Sequence, residues 1–415
     1  MAQQTFSGFD PVLKTVFEGK LREIINRRCW ALAVLGKSPR SYEGRQVTYP
    51  VNLRRNPAVG ARADGGTLMG RGSQTYDDTA ITVKYMYLRG GLTGPTIRAV
   101  KSQKGGFASA LAAEFNLAIK DFRKELNFLA WGDGTGTRCT IDATASSATQ
   151  TAASAGQATP DVGAAGTRYL REGMAVLIGT AAEIAAGTAE TATIDSITDH
   201  DTFVLTASKS LVSADLVVEG DASGNSYNNV PMGLLGIIDD DTGTFQSISR
   251  STYGNWRGTV LANAGTLRAF SDELLQRAFD YVSRRTGSTI DTLVMDPSIR
   301  RMVLDQIIPD RRYADRKFDK GWSYLSYDAG DGEVRIYADT DCPFNRIFGI
   351  DSSTIQVYEQ TPIHFADDDG HILRVVSNTD AWEYLLRADM NWGSDNPAAN
   401  FVIEDVEGGA IDIGP

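Results

Sequence analysis

Apolar residues recur at spacings of three and four between residues 107 and 131, the pattern of one face of an α-helix. Glycines stand before this stretch, at 105–106, and after it, at 132–134, where they favour the end of a helix. At 1.5 Å per residue the helix would be about 37 Å long, well beyond the usual three or four turns. We therefore expect a long spine helix, with Leu111, Phe115 and Phe122 among its core residues.

Two stretches in which apolar residues alternate with polar ones precede this helix and predict β-strands. The alternating residues are Val47, Tyr49, Val51 and Leu53 in the first, and Ile81, Val83, Tyr85 and Tyr87 in the second. Residues 54–79 between them contain five glycines and no apolar period, which is too long for an ordinary hairpin turn. An isolated two-stranded hairpin is not stable in water. We expect residues 43–98 to form an extended β-loop that lies on another surface.

Short strand patterns between residues 169 and 230 predict a small β-rich module. They cover residues 174–178, 191–197, 202–205 and 216–219. The preceding stretch, 135–166, is nearly all Ala, Thr, Ser and Gly, which is typical of a linker or loose loop. We interpret residues 135–235 as an inserted β-rich domain, and we expect the core fold to survive replacement of 135–230 by a short Gly/Ser linker.

Residues 266–308 predict a helix, a short buried strand and a second helix. Ser271 supplies an N-cap for the first helix, and Gly287 supplies its C-terminal stop. The strand covers residues 290–295, and Pro297 suits the first position of the second helix. Strand patterns return at residues 355–358, 372–376 and 382–387. The predicted fold class is therefore α+β, with an α/β unit near the C-terminal third of the chain.

The remaining N-terminal residues, 1–42, contain one short amphipathic stretch, 12–25, which cannot form a core alone. We expect an arm that docks elsewhere. The sequence has no apolar core of the signal-peptide type near its start and no apolar run of the roughly 20 residues that a membrane span requires. These observations predict a protein kept in a cytoplasm-like compartment, without a membrane partner.

Charge is unevenly distributed along the 415 residues, which carry a net charge of −11. Residues 1–110 hold 17 basic and 7 acidic side chains, a balance of +10, so the rest of the chain carries −21. The basic part includes Arg54, Arg55, Arg62 and Arg71 in the extended loop. Such an asymmetry fits either a nucleic-acid-binding arm or a contact between one copy's basic segment and another copy's acidic body. The acidic total and the lack of aromatic residues at the loop tip favour the second interpretation.

Residue types that carry chemistry are scattered. His200, His364 and His371 belong to no metal-ligand or nucleophile motif. The acidic runs 239–241 and 367–369 lack the spaced ligands of an EF-hand and read as solvated turns. The cysteines, at positions 29, 139 and 342, are far apart, and we expect free buried thiols. We predict a non-enzymatic protein without a catalytic centre, cofactor or metal.

Four segments carry a resemblance to a known family: 45–94, 107–134, 293–302 and 355–382. In this order they resemble the major capsid protein of tailed bacteriophages with the Hong Kong 97-type fold. The resemblance implies an N-terminal arm (1–42), an extended loop (43–98) and a peripheral domain with the spine helix (99–134 and 355–415). It also implies an inserted domain (135–235) and an axial domain (236–354).

The same resemblance implies a function. Copies would assemble as hexamers and pentamers, in the host cytoplasm, into the icosahedral shell of a virion. That shell would enclose double-stranded DNA without sequence-specific binding, with scaffolding, portal and decoration proteins as further partners. The founding member's leading scaffolding segment has no counterpart before the spine here, so scaffolding would be a separate protein. Residues 54–79 contain no lysine, which puts the covalent cross-linking of that member in doubt.

Two alternatives remain open from the sequence. An encapsulin-like bacterial compartment shares the fold, although the inserted domain and the length of the chain favour a phage shell. A hydrolase or sugar-binding protein built around residues 169–230 would require converging polar residues, and the sequence shows no such set.

Overall fold

The computed structural model describes residues 34–39, 44–95, 106–154, 164–221, 223–310, 316–319, 322–328, 332–367 and 370–408. Most of the expected arm, including Cys29, lies outside these ranges. Side chains are not described at 106–113, 304–310, 316–319 and 322–328. The backbone of Leu111 is therefore described as part of its helix, whereas its side chain is not described.

Five α-helices and twenty-three strands make up the described part of the chain. The helices are α1 Gly106–Trp131, α2 Ala181–Ala186, α3 Leu234–Ile237, α4 Asp272–Thr286 and α5 Pro297–Asp310. The first strands are β1 Gly36–Lys37, β2 Gln46–Arg54, β3 Thr75–Thr82, β4 Lys84–Thr93, β5 Thr137–Thr140, β6 Ala145–Thr151, β7 Ala175–Gly179, β8 Glu190–Ile197, β9 Thr202–Leu211, β10 Leu216–Asp221 and β11 Gly224–Asn225. The others are β12 Thr244–Phe245, β13 Ile248–Ser249, β14 Thr259–Leu261, β15 Thr292–Met295, β16 Arg316–Asp319, β17 Trp322–Asp328, β18 Glu333–Ala338, β19 Ile347–Ile350, β20 Ile355–Phe365, β21 Arg374–Val375, β22 Ala381–Ser394 and β23 Phe401–Ile403. None of the helices described is long and apolar enough to cross a membrane.

The long helix expected from the apolar period is confirmed as α1, with 26 residues. It ends where the glycines begin: the Gly132 N–H donates to the Leu129 carbonyl at 3.1 Å, and Gly134 has a positive φ of 85°. A left-handed residue at this point is inexpensive only for glycine. One face of α1 is buried, and Lys120 lies on the exposed face.

A peripheral sheet covers the buried face of α1. Strand β1 is parallel to β20, β20 is antiparallel to β22, and β22 pairs along its other edge with β4. Phe115 packs against the rings of Phe365 on β20 and Tyr384 on β22, with centroids 4.9 Å away in both cases. Apolar side chains of the sheet and the helix thus share one core.

A second sheet of seven strands, here called the axial part, has the order β14-β23-β19-β15-β18-β17-β16. Helix α4 begins and ends as expected, since the Ser271 side chain accepts from the Leu274 N–H and Gly287 has a φ of 74°. Strand β23 falls within residues 355–415, which the sequence analysis placed in the peripheral domain. That strand pairs with β14 and β19. Its three residues are buried and apolar, which suits a central strand covered on both faces.

The inserted domain has its own seven-stranded sheet, β11-β10-β7-β8-β9-β6 with β5 beside β10, and its own apolar cluster. The interpretation of 135–166 as a linker is wrong for much of its length, because β5 and β6 lie there. These strands are rich in Thr, Ser and Ala. Their backbones pair in the sheet, but their side chains do not alternate between apolar and polar, so the sequence pattern did not predict them.

Entry to and exit from this domain lie side by side. The Ile141 N–H donates to the Asp215 carbonyl at 2.8 Å, and the Ala214 N–H donates to the Ile141 carbonyl at 2.7 Å. Beyond these two hydrogen bonds, the domain packs on α1. Arg138 is buried, forms ion pairs with Glu125 of α1 and Glu219 of β10, and lies 4.4 Å from the centre of the Phe128 ring.

We predict that a Gly/Ser turn replacing residues 142–214 gives a soluble, folded subunit, because the new turn joins two backbone segments that already pair. This change removes the Tyr169 ring, which lies 4.2 Å from the Phe128 ring, but it keeps Arg138 and Val230 on α1. Replacement of the longer segment 135–230 should instead give aggregated protein. That deletion removes Arg138 and Val230 and so uncovers Phe128 and Leu129 of α1. Size-exclusion chromatography and far-UV circular dichroism of the two variants test this. Equal solubility of both would show that the docking contacts are dispensable.

Candidate subunit interface

The extended loop is an antiparallel hairpin of β2 and β3, with a register that runs from Gln46 opposite Thr82 to Arg54 opposite Thr75. Residues 55–74, here called the hairpin tip, connect the two strands without a strand of their own. The second predicted strand is interrupted at Val83. Strand β3 before it pairs with β2, whereas β4 after it pairs with β22 of the peripheral sheet.

The base of the hairpin is anchored on the body of the same chain. Val47, Ile81 and Val83 share a buried cluster with Tyr358 of β20. The hydroxyls of Tyr49 and Tyr358 are 3.3 Å apart, and Tyr358 donates onward to Asp395 at 3.1 Å. Burial and this acidic neighbour raise the pKa of Tyr49. The hairpin is therefore fixed at its base.

The hairpin tip has internal bonds but little cover. The Asn56 side chain donates to the Gly72 carbonyl at 3.1 Å, which bridges the two sides of the tip. Val59 is 76% exposed and Leu68 is 85% exposed. Exposure of apolar surface to water is unfavourable by about 25 cal/mol per Å² relative to burial. The exposure of Val59 and Leu68 together indicates that the hairpin tip is a surface for contact with another molecule.

The four loop arginines do not form one cluster. Arg54 donates to the Thr252 carbonyl at 2.9 Å and lies 5.1 Å from the centre of the Tyr253 ring, so it serves a contact within the chain. Arg55, Arg62 and Arg71 are exposed on the tip, and none forms an ion pair with another described residue. These three remain candidates for an inter-subunit contact.

Strand β4 presents an aromatic surface that the sequence pattern assigned differently. The alternation placed Tyr85 and Tyr87 in phase with the buried residues Ile81 and Val83. They are instead 52% and 61% exposed, and their neighbours on β4 turn inward toward α1. The cause is the change of pairing partner at Val83, after which the chain belongs to a different sheet with its core on the other side.

A buried polar junction joins the spine helix, the axial part and the inserted domain. Asn127 of α1 donates to the carboxylates of Asp339 and Asp341, at 3.0 and 2.7 Å. From the inserted domain, the Tyr169 hydroxyl donates to the Asp341 carbonyl at 2.7 Å, and Arg168 donates to the Cys342 carbonyl at 3.2 Å. Burial of the carboxylate is the main cause that raises the pKa of Asp339. The backbone N–H of Asp341 and the side chains of Asn127 and Trp131 oppose this shift by hydrogen bonding, whereas the charge of the Asp341 carboxylate adds to it.

This junction predicts a pH dependence of stability. A carboxyl group with a raised folded-state pKa disfavours the folded state at neutral pH, and that penalty is relieved as pH falls through the raised pKa toward the unfolded value near 4. Between those two values, the unmodified protein should gain stability relative to an Asp339→Asn variant, in which position 339 does not titrate. Denaturant unfolding of both at pH 7 and pH 5 measures the difference. An unchanged difference between them would contradict this assignment.

The histidines His200 and His364 lie in different parts of the described structure, and His200 has the carboxylates of Asp199 and Asp201 beside it. His200 lies in the inserted domain with Nδ1 2.8 Å from Asp199 Oδ1, whereas His364 lies on β20 with Nδ1 2.7 Å from the Pro362 carbonyl. Asp241, in the first acidic turn, pairs with Arg250 at 2.7 Å. Cys139 is buried and free, and burial raises the pKa of its thiol to about 12.

No family model matches the sequence, and neither does any curated protein. A solved chain of the cyanophage A-1(L) capsid asymmetric unit is similar in structure, with a TM-score of 0.55 and 14% identity over 91% of this chain and 93% of that chain. A Mycobacterium phage Bobi structure has a TM-score of 0.44 and 11% identity over 91% of this chain and 90% of that chain. An encapsulin from Synechococcus elongatus has a TM-score of 0.46 and 8% identity over 92% of this chain and 88% of that chain. The cyanophage likeness covers most of both chains, and the chain has the Hong Kong 97-type capsid fold.

Proposed function

We propose that this protein is the major capsid protein of a tailed phage, a subunit that assembles with copies of itself into a closed shell. The observation that carries the proposal is the structural likeness to a cyanophage capsid chain over 91% of this chain and 93% of that chain. Fold alone does not determine function. A second feature therefore matters: the hairpin tip projects uncovered apolar and basic side chains for which the same chain offers no cover among its described residues.

Assembly would be driven by many modest contacts. Each copy contributes its hairpin tip, with Val59 and Leu68 as apolar contacts and three arginines as charged ones. The body that receives them carries the larger share of the acidic residues. Complementary charge steers encounter and fixes register, whereas apolar burial supplies most of the association free energy. Repetition of one such contact around a ring gives hexamers and pentamers, and both together close an icosahedron.

The packaged cargo would be double-stranded DNA, held by confinement without sequence-specific contacts. A net charge of −11 disfavours a continuous DNA-coating surface, so the shell would enclose DNA and contact it sparsely. Scaffolding, portal and decoration proteins would join during assembly in the bacterial cytoplasm.

The nature of the cargo tests this proposal against an encapsulin-like compartment. Particles that contain this chain should be isolated from its natural source, treated with nuclease, and then opened. Nuclease-resistant double-stranded DNA of uniform length is the expected content. A protein cargo without DNA would favour the compartment, and the absence of particles would overturn both.

A further inference from the structure

Three consecutive residues with metal-ligating side chains lie in the turn between β8 and β9 of the inserted domain: Asp199, His200 and Asp201. They are here called the 199–201 cluster. One candidate ligand atom of each lies within 4.8 Å of those of the other two. The side chains of His200 and Asp201 are 28% and 24% exposed, so an ion in solution can reach the turn.

Neighbouring segments fix the backbone of this turn on two sides. The Thr167 N–H donates to the His200 carbonyl at 2.8 Å, and the Thr167 hydroxyl donates to the Asp199 carbonyl at 2.7 Å. From the end of β6, the Ala152 N–H donates to the Asp201 carbonyl at 2.6 Å. All three carbonyls of the 199–201 cluster are therefore bonded within the inserted domain. Side chains on a fixed backbone lose less conformational freedom when they bind a ligand.

The carboxylate of Asp199 orients the imidazole of His200. Its Oδ1 accepts from the backbone N–H of His200 at 2.7 Å and lies 2.8 Å from Nδ1 of the same residue. Because an ionised carboxylate can only accept, Nδ1 carries the proton of the neutral imidazole, and the lone pair is on Nε2. Histidines that bind metal ions usually donate their other ring N–H to a carboxylate or carbonyl in this way.

The second ring nitrogen, Nε2 of His200, is shielded from solvent and has no hydrogen-bond partner among the described residues. Such an atom is uncommon in a folded protein, because burial of a polar group without a partner costs free energy. It lies 4.0 Å from Oδ2 of Asp201, too far for a hydrogen bond. The Thr202 hydroxyl donates to the other oxygen, Oδ1 of Asp201, at 2.8 Å. That bond leaves Oδ2 as the oxygen available beside Nε2.

One metal ion between Nε2 and Oδ2 satisfies both atoms. An ion about 2.1 Å from each spans their separation of 4.0 Å at an obtuse angle. A nitrogen ligand beside a carboxylate suits Zn²⁺ and similar transition-metal ions, whereas Mg²⁺ and Ca²⁺ take oxygen ligands. We propose that the 199–201 cluster binds a Zn²⁺ ion, with His200 and Asp201 as ligands, Asp199 as the positioning residue and water in the remaining positions.

The sequence analysis predicted no metal because consecutive ligands match none of the spaced metal-binding motifs. In the folded chain, the bound ion ties the turn to the segments around Ala152 and Thr167, which already bond its carbonyls. An ion that binds only the folded domain stabilises that domain. This inference is independent of the shell function proposed above, since the site lies within one copy.

Isothermal titration of the untagged full-length chain with ZnCl₂ tests the site. The unmodified chain should show a zinc site that is lost in His200→Ala and in Asp201→Ala. The Asp199→Ala variant should bind zinc about 10–100-fold more weakly, because Asp199 acts through the orientation of the imidazole. Asp199→Asn keeps an acceptor oxygen for Nδ1 and should recover part of that loss.

The matched control is His364→Ala. Both ring nitrogens of His364 are already used: Nδ1 lies 2.7 Å from the Pro362 carbonyl, and Nε2 accepts from Arg387 Nε at 3.0 Å. This variant should therefore bind zinc as the unmodified chain does. Equal zinc affinity of His200→Ala and His364→Ala would overturn the proposal.

Hydrogen exchange of the unmodified chain decides the matter if the variants do not fold. The amides of Ala152 and Thr167 donate to carbonyls of the 199–201 cluster. With free ZnCl₂ at ten times its Kd, these amides should exchange about tenfold more slowly, because only the closed form of the turn binds the ion. The same concentration of MgCl₂ should leave their exchange unchanged. Exchange at Ala152 and Thr167 that is equal with and without zinc would overturn the site.

Discussion

Replacement of Phe115 or Phe122 by alanine should cost about 3–5 kcal/mol of folding free energy, because each substitution removes transfer free energy and leaves a cavity. Phe115 is 0% exposed and lies between the rings of Phe365 and Tyr384, whereas Phe122 is 2% exposed on the same face of α1. Total stability of a typical domain is only about 5–15 kcal/mol. We therefore expect low soluble yield and no particles from either variant.

The matched control is Lys120→Ala on the exposed face of the same helix. Alanine is a strong helix former, so this change should be nearly neutral. Denaturant unfolding of soluble subunits and sedimentation of assembled material compare the three variants directly. If Phe115→Ala and Phe122→Ala unfold at the same denaturant concentration as Lys120→Ala, the packing of α1 under the peripheral sheet is wrong.

Joint replacement of Arg55, Arg62 and Arg71 by alanine should leave a folded subunit that assembles poorly. All three side chains are exposed and lack ion pairs among the described residues, so the subunit itself loses little. Their contribution is expected at the contact with a neighbour, where charge aids encounter and register. Light scattering during assembly should show a large loss in rate at low ionic strength.

Salt dependence separates a charge effect from a folding defect. At about 1 M salt the screening length falls to about 3 Å, so assembly of the unmodified chain should slow toward the rate of the triple variant. The triple variant should itself respond little to salt. Arg54→Ala is the control, because Arg54 bonds Thr252 and Tyr253 of its own chain. A triple variant that assembles at the unmodified rate in low salt would refute the role of these arginines.

Features that rest on local periodicity or capping could be predicted from the sequence. The 3.6-residue period and flanking glycines of α1 located it to within one residue at its N-terminus, and Ser271 and Gly287 mark the ends of α4. Such signals work because neighbours along the chain are also neighbours in the structure. The order of these elements was enough to indicate the capsid-type fold.

Features that depend on distant pairing could not be predicted. The placement of β23 in the axial sheet, the reversal of exposure at Tyr85 after Val83, and the sheet of small polar residues around β6 all follow from which strand pairs with which. The junction of Asn127 with Asp339 joins residues 212 positions apart. No local pattern encodes such contacts, so they become visible only when the chain is folded.

Electron microscopy of the purified full-length chain after assembly tests the central claim most directly. We expect closed, uniformly sized shells with five-fold and six-fold clusters of subunits, from which the described fold can be recognised in each copy. A protein that stays monomeric, or forms only irregular aggregates, both when purified and in extracts of its natural source would contradict the proposal that this chain is a shell subunit.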